Sequence, residues 1–240
     1  MSRFGLGLVS GASGGNDIFT KVLLHFDGVN MGTSFPDSAL GNSNSWATSG
    51  TLYTADSSSG ISPKFGPTYM LSGSSSYLYC SANSDFNLSN HDFTIDFWWS
   101  FSISTGTHYI TGQVDSGQTF AGSSFFIQRN SSNKIQFTVS DGSSGTTVTG
   151  TTNVNTTATW YHIAATRNGN ILRLFINGSQ EGGDVSFTGT IPNSSARLGI
   201  SSFGGYVASN PSSEEFDEYR MSVGIARWTA NFAPPTNAYF

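Results

Sequence analysis

The sequence carries little charge: Asp, Glu, Lys and Arg make up 10% of its 240 residues, against roughly a quarter in ordinary soluble domains. Its ten Lys and Arg residues are scattered from Arg3 to Arg227 within a net charge of −5, so no basic stripe offers a footprint for nucleic acid. Cysteine is nearly absent. The single Cys80 excludes an internal disulfide, and its setting in Tyr77-Leu78-Tyr79-Cys80 suits a buried, inert thiol. No apolar run approaches the roughly 20 residues of a membrane span. The opening Phe4-Gly5-Leu6-Gly7-Leu8-Val9 is too short and glycine-broken for a secretion signal. Synthesis in a cytoplasm is therefore expected. Lys, Glu, Ala and Leu are too scarce for a helical protein.

What is present is glycine (28), serine (40) and aromatic residues at 14%. That much Phe and Trp is incompatible with disorder, which needs few aromatics and high net charge. An all-β domain with short strands and polar turns remains, and sandwiches of this size form single domains.

Two regions follow along the chain. Residues 1–20 read as a Gly/Ser-rich arm, with Ser10–Asn16 as a tether. Phe4, Leu6, Leu8 and Val9 alternate with small or polar positions, a pattern fit to add a strand to another protein's sheet edge; an arm folded back on its own domain is the alternative. From Lys21 to residue 240 the pattern is that of strands. Val22–Phe26 ends at the turn signal Asp27-Gly28, residues 30–63 read as loop, and Tyr77–Cys80 as a strand. In Phe93–Phe101, Phe93, Ile95, Phe97, Trp99 and Phe101 share one face, and Thr94, Asp96, Trp98 and Ser100 the other. Ser124–Arg129 and Lys134–Ser140 predict a hairpin, as do Trp160–Thr166 and Ile171–Ile176. Asn177-Gly178 predicts a two-residue type I′ turn. The Thr/Gly/Ser tract over 141–159 reads as a long turn or an edge strand, and Ala196–Ile200 and Phe216–Val223 as the last strands. The sum is a sandwich of two antiparallel sheets.

Several segments resemble, in order, laminin-G-like members of the concanavalin A-like lectin/glucanase superfamily. They are Leu24–Gly28, Ser84–Leu88, Asp92–Trp98, Trp160–Ala164, Leu172–Gly178 and Phe216–Arg220. The tail Val223–Pro235 is similar to a closing segment of bacteriophage versions. The resemblance spans roughly 21–235 and implies a jelly-roll sandwich. It also implies one structural Ca²⁺ where the first and last strands meet, with Asp27 and Asp217 as the matching carboxylates beside backbone carbonyls. The alternative is that Asp27 caps its turn and Asp217 pairs with Arg220 or accepts backbone N–H groups.

Function must be read from sites rather than from fold. Retaining glycosidases need two carboxylates about 5 Å apart. Glu215-Phe216-Asp217-Glu218 lacks the third carboxylate of the superfamily's hydrolase motif, because Tyr219 and Arg220 follow; no catalytic residue is assigned. A sugar site needs an aromatic platform with a few polar groups. Trp98, on the less apolar face of its strand, and Tyr109, Phe120 and Tyr206, in Gly-rich loops, are the candidates. Packing of each within the sandwich or its own loop is the competing reading. The expected function is that of a non-enzymatic virion accessory protein of the head or tail. The arm would dock it on virion structural proteins or on further copies, a trimer among them, while the jelly roll reinforces the particle or binds host polysaccharide. A free lectin is the alternative, and a glucanase-like hydrolase a more distant one.

Overall fold

The computed structural model describes residues 15–41, 44–103, 105–204 and 213–240. Phe4, Leu6, Leu8, Val9 and Tyr206 lie outside the described residues. Fifteen strands are described. They are β1 (Thr20–Leu24), β2 (Trp46–Ser49), β3 (Leu52–Ala55), β4 (Tyr69–Ser72), β5 (Tyr77–Cys80), β6 (Phe93–Phe101), β7 (His108–Gln113) and β8 (Phe125–Arg129). They continue with β9 (Ile135–Ser140), β10 (Gly145–Thr149), β11 (Tyr161–Asn168), β12 (Ile171–Ile176), β13 (Ser179–Ser186), β14 (Leu198–Ile200) and β15 (Glu214–Val223). The only helical turns among the described residues are two single 3₁₀ turns, Ser57–Ser59 and Ser84–Phe86.

The strands form two antiparallel sheets. One has eight strands in the order β13-β12-β11-β6-β15-β4-β3, with β1 pairing the far half of β15; the other has seven, β10-β9-β8-β7-β14-β5-β2. The long strand β15 organises the first sheet. It pairs β6 along one side, and β4 then β1 along the other. Both hairpins form as the sequence predicts. Asn177 and Gly178 both hold positive φ, +48° and +78°, which is what lets two residues turn β12 into β13.

The core is the space between the sheets. Phe93, Ile95, Phe97, Trp99 and Phe101 all face it, with Phe97 stacked on Tyr219 at 5.5 Å. Cys80 is buried there, and burial pushes its thiol up to about 11.

Two regions differ from the sequence reading, and at a third the structure decides between its alternatives. Residues 30–63 hold β2 and β3, short strands at the sheet edges, where partial pairing leaves only a weak alternation. The 141–159 tract contains β10, an edge strand. Tyr109 sits in β7 rather than in a loop; its neighbours Gly106 and Gly112 disguise a strand whose Gly112 has Phe126 lying against its Cα.

Candidate functional site

Four surfaces carry the residues the sequence points to, and two of them are closed. The outer face of the eight-stranded sheet is the first. There Asp96 of β6 receives Nε and Nη2 of Arg220, both at 3.0 Å. Tyr239 donates its hydroxyl to the same carboxylate, and its ring lies 4.0 Å from the Arg220 guanidinium carbon. Burial alone would raise the Asp96 carboxyl; the Arg220 charge and the His162 and Arg220 hydrogen bonds outweigh it and hold the group at about 2. His162 is fully buried, and desolvation keeps its ring neutral-leaning, with its pKa below the ordinary value. The closing segment lies over this network, where Trp228 stacks on Phe232 at 4.1 Å and both meet His162 edge-on. Trp98 belongs to this closed face and offers no platform to a sugar: it is 5% exposed, with Lys64 Nζ 3.9 Å above its ring and Phe65 edge-on at 6.0 Å. Period-two alternation placed it correctly away from the core, but could not show that a second layer covers that side.

The acidic run of β15 is the second surface. Glu214 turns into the core, accepting from Trp99 Nε1 and lying 2.5 Å from His108 Nδ1. Glu215 and Asp217 turn to the opposite face and are 6% and 0% exposed. Desolvation, then the Glu214 charge, pushes Glu215 up to about 8. Desolvation likewise holds Asp217 well above the carboxylate range. Asp217 Oδ2 accepts the backbone N–H groups of Lys64 (2.9 Å) and Phe65 (3.0 Å), while Oδ1 has no partner. Asp217, alone of these carboxylates, pins the 61–66 loop, at Lys64 and Phe65. Their burial leaves no room for a sugar ring between them.

Asp27 and Asp217 are brought within electrostatic reach of one another and of Glu218. The Asp27 carboxylate rests on Gly66, where a Cβ would collide with it. Desolvation and the Glu218 charge raise its pKa. Arg220 turns to Asp96, so Asp217 follows the N–H alternative from the sequence. Among the described residues no three His, Cys, Asp or Glu side chains converge as metal ligands. A calcium ion here would have to draw most of its shell from backbone carbonyls.

The outer face of the seven-stranded sheet is open. Leu78 and Cys80 of β5 face the core, so Tyr77 and Tyr79 face outward, with ring centroids 5.8 Å apart. Arg197 lies over the Tyr79 ring at 4.5 Å. Beside this pair runs a groove of about 470 Å³ lined by Asn44, Ser45, Ala47, Tyr79, Ser81, Asn83 and Arg197 among others. Its continuation past Asn83 meets Asn193, Ser194 and Ser195. The amides are preset: Asn83 donates to Asn44 Oδ1 at 2.7 Å, and Asn44 donates to the Lys21 carbonyl at 2.9 Å. Across β14 the same face carries Tyr109 and Phe126, each packed on Phe203 at 4.7 and 4.8 Å. Phe120 is 40% exposed, with its ring lying against Gly145. The structure thus separates the sequence candidates and brings forward Tyr79, Arg197, Asn44 and Asn83. The alternation of Tyr77-Leu78-Tyr79-Cys80 already places both tyrosines on one side. The polar residues come from three distant segments, and no local pattern joins them.

The Laminin G 3 family model, described as concanavalin A-like lectin/glucanases superfamily, matches residues 72–218. No curated protein sequence matches the chain. Among solved structures, botulinum neurotoxin type C, described as depending on two ganglioside molecules to enter cells, is similar at 15% identity and TM-score 0.64, covering 87% of this chain and 49% of that one. The binding domain of botulinum neurotoxin DC with rat synaptotagmin II gives 14%, 0.63, 87% and 49%. The binding domain of Paraclostridial Mosquitocidal Protein 1 gives 16%, 0.63, 87% and 50%. The chain spans about half the length of these structures.

Proposed function

Since this chain belongs to the concanavalin A-like lectin/glucanase superfamily, we propose that it is a non-enzymatic glycan-binding module whose site is the groove beside Tyr79. One observation carries the reading: the outward Tyr79 ring, a guanidinium and preset amides meet at an open groove, while the acids that could serve hydrolysis are buried. An aromatic face takes the C–H side of a sugar, and a few fixed polar groups take its hydroxyls. The neighbours described as interacting with two ganglioside molecules and as in complex with rat synaptotagmin II are consistent with this. A glycan array tests it. Hits should fall at least tenfold for Tyr79→Ala at unchanged Tm; an array blank for the wild type overturns the reading.

The finer reading is a virion accessory role, with the part of arm 1–20 ahead of Gly15 docked on capsid or tail proteins and the sandwich displayed outward. Its support is the likeness of the 223–235 segment to phage versions and the surface where the arm joins. Asn16 there bonds Phe240, Ser38 and Leu40, and Ile18, Leu40 and Phe240 expose 76%, 60% and 82% of their area. An apolar rim around the arm's root suits a docked arm. Co-sedimentation with particles checks it: binding should vanish when residues 1–14 are removed.

A further inference from the structure

The groove beside Tyr79 and its continuation share a wall. Ala82 and Asn83 line both depressions, of about 470 and 210 Å³, and both depressions open to solvent. Asn83 is fixed where they meet: its Oδ1 accepts the Asp85 N–H at 2.9 Å, and its Nδ2 donates to Asn44 Oδ1 at 2.7 Å. A side-chain amide carries a second hydrogen, which a sugar hydroxyl can accept. The far end is equally fixed. Ser194 is buried, donates to the Gly122 carbonyl and accepts the Ala196 N–H at 3.0 Å. Gln113 Nε2 donates to the Ser194 and Ala196 carbonyls at 3.3 and 3.0 Å. The flanking Asn193 and Ser195 are exposed and line the continuation. Their amide and hydroxyl both donate and accept, as sugar hydroxyls do. Polar groups suited to a sugar therefore recur on the far side of Asn83, on a backbone already ordered before binding. A single sugar beside Tyr79 would leave them unused.

We propose that the groove binds an internal stretch of a linear polysaccharide, with one sugar beside Tyr79, the next over Asn83 and a third against Asn193 and Ser195. This deepens the glycan-binding reading and rests on it. Once one sugar is seated, a linked neighbour docks without a second loss of translational freedom, so affinity climbs with chain length until the groove is full. Both depressions open outward, which lets the chain continue past the site at either end.

Calorimetry on the full chain tests it with linear glucan, galactan and mannan fragments of one, two, three and six sugars. In at least one series the three-sugar fragment should bind about tenfold more tightly than the single sugar, with little gain from three to six. Asn193→Ala combined with Ser195→Ala, at unchanged Tm, should bring the three-sugar fragment down to the level of the two-sugar one. Blocking both ends of the six-sugar fragment should leave its binding unchanged. Equal binding of one and three sugars, no effect of the double variant, or loss on end-blocking overturns the inference; if Tyr79→Ala still abolishes that binding, the sugar site stands. Fragments that all fail, beside a glycan array with hits lost in Tyr79→Ala, overturn the inference alone. Blank fragments and a blank array remove the two readings together.

Discussion

Asp96 shows how much one buried residue holds. It is ionised without solvent because Arg220 meets it through two nitrogens and Tyr239 adds a hydroxyl. Removing one partner of such a pair strands the other charge and costs about 3–5 kcal/mol. Asp96→Ala should therefore lower stability by that order in urea unfolding. The same group sets acid behaviour. Its folded value of about 2 lies below the ordinary 3.8, so its contribution is present above pH 4 and is lost as pH falls toward 2. Glu215 runs the other way. With a folded value of about 8 against 4.5, the folded chain keeps a proton that the unfolded chain releases. Stability is then full below pH 4.5 and declines as pH rises toward 8, by at most about 1.4 kcal/mol per unit. Glu215→Gln should flatten that decline, with its Tm advantage over wild type growing from pH 5 to pH 8; a constant difference would refute the assignment. Calcium belongs at this scale too. If Asp27 and Asp217 hold the ion together with backbone carbonyls, EDTA should lower the Tm of calcium-loaded protein, and unchanged melting would count against it.

Among the elements, the closing segment does what a helix layer does elsewhere, covering one side of a sheet. Without it the polar residues of β6, β11 and β15 would face water and the Asp96 pair would be screened. Trp228 is the anchor, buried against Phe232, Phe175 and His162. Trp228→Ala should cost about 3 kcal/mol or more, and Tyr239→Phe about 1–3 kcal/mol through the lost hydroxyl, both read from denaturant midpoints. This covering role was not legible in the sequence. Central strands such as β6 and the β11–β12 hairpin were, because full burial on one face forces strict alternation. The edge strands β2, β3 and β10 were faint, since half-paired backbone in contact with water tolerates Thr, Ser and Gly.

For the whole molecule, the N-terminal root and the C-terminus meet: Asn16 donates to the Phe240 carbonyl, and Asp17 pairs with Arg227 at 2.8 Å. A deletion through residue 20 would cut these bonds and part of β1, so the informative truncation stops at residue 14. Light scattering should then give a smaller assembly for the truncated chain if the arm joins copies. Equal masses would direct the arm to a foreign partner.

The all-β class, the two-sheet sandwich and the faces of the central strands are all readable from the residue pattern. Those follow from period-two burial and turn chemistry, which act between neighbours along the chain. Tertiary structure decided which outward residues stay outward. Trp98 and Tyr79 look alike in their strands, each the polar-side aromatic beside core neighbours. One is sealed by Lys64, Phe65 and His162, while the other opens on a groove assembled from Asn44, Asn83 and Arg197. The difference is whether a distant segment packs over the sheet, and that depends on contacts between residues far apart in the chain.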